Sequence, residues 1–187
     1  LLADGTVMRW GFNERGGAGV GDTGARYVEF PQAVSNLPPS QVVVEGGWQV
    51  GLALTKDGRV YSWGANDRGQ LGVGDYVDRF SATEVPGLSN VIAIAGGGGS
   101  ACALKSDGTV WAWGWTNSSN VPLQIQGLPG IARIFATSVS FFVQESSGAT
   151  WVVGTLPFPV VGDPGAAAGP RHLPLFDGAV EIAGGSQ

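Results

Sequence analysis

The chain has 187 residues, enough for one ordinary domain; only 13% are charged, against about 25% in a typical soluble domain, and 32 are glycine. Low charge, abundant glycine and proline, and 43% hydrophobic residues exclude both disorder and an architecture of long surface helices. The net charge of −5, with ten basic residues spread along the chain, excludes the basic stripe a nucleic-acid binder needs, and the single cysteine, Cys102, excludes an internal disulfide or a cysteine-ligated zinc site.

The first eleven residues, "LLADGTVMRWG", read as an Asp-Gly turn followed by a short strand ending in Trp-Gly. A polar, glycine-rich loop, "FNERGGAGVGDTGARY", comes next. The same order then recurs. Strands are expected at 41–46, 50–55, 59–64 and 81–86, with the loop "ANDRGQLGVGDYVDRF" between the third and the fourth. Both loops run through Gly-Val-Gly-Asp.

The next segment, "AGGGGSACALKSDGTVWAWG" (95–114), lies over "EGGWQVGLALTKDGRVYSWG" (45–64) without a gap. Gly46, Gly47, Ala53, Leu54, Asp57, Gly58, Val60, Trp63 and Gly64 all meet identical residues. The glycine run at 96–99 is therefore in register with the repeat, and a flexible linker would break that register. A phosphate-cradling loop should open a helix, whereas these glycines open a hairpin. They are structural. A fourth, worn copy, "VQESSGATWVVG" (143–154), keeps Gly148 and Gly154, and "EIAGGSQ" opens a fifth.

Four short strands per period, repeated at 40 to 53 residues, are the signature of propeller blades. The expected fold is all-β: a β-propeller of four-stranded blades, about three and a half of them present, at 1–36, 41–87, 90–127 and 130–177, with the next starting at 179–187. Kelch-type blades also carry a glycine pair, but place it well ahead of a Tyr and a Trp. Here the pair precedes a strand, an Asp-Gly turn and Trp-Gly.

The string L-x-x-D-G-x-V-x-x-W-G-x-N-x-x-G-Q-L-G-x-G is complete at 54–74, nearly complete at 1–21, partial at 104–117 and weak at 144–154. It resembles the repeat of the regulator-of-chromosome-condensation family. That resemblance implies a propeller, usually of seven blades, closed by strands shared between the chain ends. About half of such a ring is present, which makes the chain a segment of a longer protein, or else a half-ring completed by a second copy. The family often has a His-Ser pair after the glycines, and here Val50-Gly51 and Ser100-Ala101 stand in its place.

Recurrence sorts the aromatic residues. Trp10, Trp63 and Trp113 share one repeat position and Tyr61, Trp111 and Trp151 another, so both sets are expected to pack between blades. Trp48 and Trp115 do not recur and are candidate partner anchors at strand ends. Arg15, Asp67, Arg68, Tyr76 and Arg79 join them on one rim, supplied by the two long loops. Asn66 and the loop glycines are expected to make the turn itself.

Little points to catalysis. The one histidine, His172, lies in the proline-rich "GPRHLPLF", outside the repeat motif and without a nucleophile elbow; it reads as a loop or edge-strand residue. Asp75 and Asp78 alone do not make an oxygen cage for calcium. The stretch around 155–176 favours an ordered loop over a strand.

The expected function is non-enzymatic: a binding module or scaffold for a protein partner, with no cofactor, metal, nucleic acid or membrane span. The resemblance implies action through surfaces, such as nucleotide exchange on a small GTPase, inhibition of a β-lactamase, scaffolding or light sensing. The alternative is a structural spacer or a self-assembling half-propeller, and hence a homo-oligomer. Low lysine content and simple repeats point towards a bacterial protein, exported or at the cell surface.

Overall fold

The computed structural model describes residues 1–39, 41–47, 49–97, 99–137, 140–154 and 169–180. Among the described residues, fourteen strands form four antiparallel sheets. The first sheet pairs β1 (Met8–Phe12) with β2 (Tyr27–Ala33). The second runs β3 (Gln41–Gly47), β4 (Val50–Thr55), β5 (Val60–Gly64) and β6 (Arg79–Glu84), each strand paired to the next. The third repeats this order with β7 (Val91–Gly97), β8 (Ser100–Lys105), β9 (Val110–Gly114) and β10 (Ser119–Gln124). The fourth has β11 (Ile131–Ala136), β12 (Ser140–Glu145), β13 (Thr150–Gly154) and the two-residue β14 (Arg171–His172).

These are the blades of a partial β-propeller. Their leading strands sit side by side, β7 against β3 and β4, and β11 against β7 and β8. β6 begins at Arg79, earlier than the expected strand at 81, because Arg79 pairs with Gly64 and closes the loop at its base. The glycine run fits the hairpin reading: β7 ends at Gly97 and β8 starts at Ser100, with Gly98 outside the described residues.

A sheet with both faces covered needs apolar side chains on both, and β4 and β5 are buried almost throughout. The core therefore lies between blades. Leu52, Leu54 and Val60 of the second blade pack with Ile94, Ala101, Ala103 and Trp113 of the third. Cys102, Leu104 and Val110 of the third pack with Ile131, Phe141 and Val143 of the fourth. Cys102 is a buried thiol, in keeping with its apolar run.

The recurring tryptophan explains the recurring loop glycine. Trp113 is fully buried, its indole laid on the loop of the second blade, where its Nε1–H donates to the Gln70 carbonyl at 3.0 Å. A Cβ on Gly72 would stand 2.8 Å from Trp113 Cδ1, and Gly72 has φ +71°. One junction earlier, a Cβ on Gly19 would stand 2.5 Å from Trp63 Cδ1 at φ +69°. At both of these junctions the loop is thus a glycine-floored seat for the next blade's indole. In the third blade the long loop is replaced by a 3-10 turn, Trp115–Asn117, and the fourth blade has Val153 at the tryptophan position.

Trp10 departs from the expectation for its repeat position. It is 61% exposed, because no described sheet lies on that flank of β1 to provide a seat. Tyr61 is buried, and Trp111 and Trp151 are partly buried against the inter-blade clusters.

In the worn copy, the buried Leu104 and Val110 are replaced by Gln144 and Thr150, which are also buried. They satisfy each other, Gln144 Nε2 donating to Thr150 Oγ1 at 3.2 Å, and they grip the outgoing chain. Gln144 Nε2 donates to the Ala179 carbonyl and Thr150 Oγ1 to the Phe176 carbonyl. Of the stretch at 155–176, residues 155–168 lie outside the described residues; the remainder holds β14 and a 3-10 turn at Pro174–Phe176.

Two stability predictions follow from the indole seat. Trp113→Ala empties a buried site and should cost about 3–5 kcal/mol in urea unfolding. Gly72→Ala should cost about 2 kcal/mol or more by the same measurement, since it combines a forced contact with a positive φ.

Candidate functional site

The loops between β1 and β2 and between β5 and β6 emerge on one edge of the blades, beside the 3-10 turn that follows β9. Each long loop folds around a buried asparagine. Asn66 Oδ1 accepts the Leu71 N–H at 3.0 Å while its Nδ2 donates to the Asp75 carbonyl at 2.9 Å. Asn13 repeats this, accepting from Ala18 N–H and donating to the carbonyls of Asp22 and Ala25. An amide with both an acceptor and donors can clamp a wide turn from inside, which neither a carboxylate nor an alkyl chain can do.

Charge pairs join the two loops. Arg15 of the first loop presents Nε and Nη2 to the two carboxylate oxygens of Asp78, both at 2.8 Å, and Nη1 to Asp67 at 3.0 Å. Asp78 also accepts the Asn66 backbone N–H at 2.7 Å. Hydrogen bonding to Asp78, opposed by partial burial, holds the Arg15 guanidinium more firmly protonated than usual. The two-pronged geometry is what makes an Arg–carboxylate pair directional.

Arg79 is committed within its own loop, to Asp75 at 2.6 Å and to the Val77 carbonyl at 2.8 Å. The Val77 N–H and then Arg79 hold the Asp75 carboxyl below its ordinary value. The oxygens of Asp75 and Asp78 thus already face protein donors. Among the described residues no three His, Cys, Asp or Glu side chains gather as a metal cluster.

Arg68 sits at the repeat position of Arg15 but has a different neighbour. Its guanidinium lies over the Trp115 ring, 4.6 Å from the centroid. Trp115 is 54% exposed and Tyr76 57%. Of the sequence candidates, Arg15 and Asp67 are thus brought together, Arg68 and Trp115 form a second pair, Arg79 braces a loop, and Tyr76 faces solvent. Trp48 lies outside the described residues. Val77, 61% exposed beside Tyr76, escaped the sequence reading, although an apolar residue in a polar loop was a signal.

His172 lies on β14, the edge strand of its sheet. Its Nε2 faces the Asp177 carboxylate at 3.1 Å and its ring lies 5.4 Å from that of Trp151. Asp177 also accepts the Thr150 N–H, so the pair ties the edge strand to the turn after it.

Models of the regulator of chromosome condensation (RCC1) repeat match residues 57–104 and, in a second form, 41–70 and 91–120. Residues 41–120 are RCC1-type repeats. The human regulator of chromosome condensation is 38% identical over 100 residues, covering 51% of this chain and 23% of that protein. The ultraviolet-B receptor UVR8 of Arabidopsis thaliana is 37% identical over 81 residues, covering 42% of this chain and 18% of the receptor. Among solved structures, human WBSCR16 superposes with a TM-score of 0.73 at 24% identity, covering 87% of this chain and 46% of that one. Prp20p of Saccharomyces cerevisiae, whose structure was described with its binding to Gsp1p and histones, gives 0.68 at 18% identity, covering 89% and 46%. These structural likenesses show the propeller fold. The chain spans less than a third of these curated relatives and less than half of these solved structures. No helix among its described residues is long and apolar enough to cross a membrane.

The lowered Asp75 predicts an acid-sensitive loop. A carboxyl with a depressed folded-state pKa contributes stability above its unfolded value and loses it as pH falls through the folded one. The stability difference between the parent and Asp75→Asn should therefore be constant near neutrality and shrink below about pH 4, as followed by urea unfolding across pH.

Proposed function

We propose that this chain is a non-enzymatic protein-binding module whose contact surface is the loop edge carrying Arg68, Tyr76, Val77 and Trp115. The observation that carries the reading is the combination of exposed aromatic rings with a clamped support. Tyr76 and Trp115 are more than half exposed, while the loop bearing Tyr76 is held by buried Asn66 and by Asp78 in the grip of Arg15. Aromatic side chains and arginine are the usual anchors of protein interfaces, and a rigid support lowers the entropy lost on binding. In this reading Arg15, Asp67 and Arg79 act by holding the loops, and Trp48 stands as a further candidate.

The net charge of −5 and the absence of a basic stripe favour a protein over a nucleic acid. The binding reported for Prp20p, to Gsp1p and histones, is of the same kind.

A second reading, self-association, draws on a different surface. Trp10, Tyr27 and Phe30 are each exposed on the β1–β2 sheet, apolar area of the kind a second copy could cover.

Selection of displayed protein fragments on the immobilised chain tests the first reading. The double variant Trp115→Ala/Tyr76→Ala should weaken the selected ligands about thirtyfold or more, the range expected for interface hot spots. Ligands held equally by parent and variant would move the surface elsewhere. If instead the chain sediments as a dimer that Trp10→Ser dissociates, the second reading gains.

A further inference from the structure

The two arginines at one repeat position point to what the rim takes. Arg15 and Arg68 occupy equivalent places in the first and second loops, and both reach forward to the next blade. At the first junction that reach ends on carboxylates, with Asp78 gripped through two nitrogens and Asp67 through a third. At the second junction the receiving loop has been cut down to Trp115-Thr116-Asn117-Ser118, which contains no acidic residue. The Arg68 guanidinium lies over the Trp115 ring, its Cζ 4.6 Å from the centroid, and among the described residues its side chain has no hydrogen bond or ion pair. Stacking uses the face of the guanidinium and leaves its in-plane N–H donors free.

We infer that Arg68, held on Trp115, is a carboxylate-binding fork for an Asp or Glu side chain of the protein partner, in the place that Asp78 fills one junction earlier. This rests on the binding-module reading and gives it a chemistry: an acidic side chain next to an apolar one, the first meeting Arg68 and the second Tyr76, Val77 and the open part of the Trp115 ring. Packing over the indole holds the guanidinium in place before the partner arrives, so less side-chain freedom is lost on capture. Lysine could supply the charge but neither the fork nor the stack.

The test is selection of a random-peptide display library on the immobilised chain, with Trp115→Ala used to identify peptides that bind the rim. Those peptides are expected to share an Asp or Glu. Changing it to Asn or Gln should weaken binding about tenfold or more, as should Arg68→Gln, while Arg68→Lys restores only part. Thermal unfolding of Arg68→Gln should match the parent, because the exposed side chain lies over an exposed ring and, among the described residues, makes no hydrogen bond or ion pair. Rim peptides that lack an acidic residue and bind Arg68→Gln as tightly as the parent overturn the fork and leave the binding module standing. Peptides whose acidic residue is required but which ignore Arg68→Gln place the carboxylate elsewhere, and also overturn it. If no selected peptide depends on Trp115, both readings fall.

Discussion

The seating of an indole on a neighbour's loop is the contact on which the arrangement of blades turns. Trp63 and Trp113 each fill the space above a glycine in the loop of the blade before, and that space exists because the glycine has no side chain and adopts a positive φ. The indole contributes a large buried area, and at Trp113 its N–H also satisfies a carbonyl at the seat. The seat in turn needs the loop to keep its shape, which is the work of Asn13 and Asn66 from within. Blade packing, loop shape and rim are thus one mechanical unit, and the exposed rings at Tyr76 and Trp115 inherit their positions from it.

The junctions are supplemented by main-chain links that repeat at the other end of the blades. The first residue of β7 donates to the carbonyl of Gly58, and that of β11 to the carbonyl of Gly108. Gly178 donates in the same way to Gly148. At this last link the apolar support is weakest, since Leu and Val have become Gln144 and Thr150. The change is tolerated because both polar groups are satisfied, by each other and by the chain leaving the blade.

The parts of the fold that were legible in the sequence are those written at short range or repeated. Alternation within strands, Asp-Gly turns, and the recurrence of Asp, Val, Trp and Gly located the hairpins, and Asn66 stood out as a turn-maker by position. The rim residues were also identifiable as a group. What they bond to was not, because the partner of Arg15 is Asp78, 63 positions away, and that of Arg68 is Trp115. Such pairings depend on how one blade is rotated against the next, which no local pattern encodes. For Trp10 the repeat position predicted burial, but burial also takes a neighbouring sheet on that flank.

The shortened third loop shows how such a molecule can be changed. The glycine seat disappears in one copy and the indole disappears in the following one, where Val153 stands, so the two losses travel together although about forty residues separate them. The heritable module is consequently staggered against the visible sheet: it begins in one blade's loop and ends in the next blade's third strand. Transplanting a rim loop to another propeller would require carrying its downstream aromatic residue along, and libraries that vary a loop while freezing the rest of its own blade would be cut at the wrong seam.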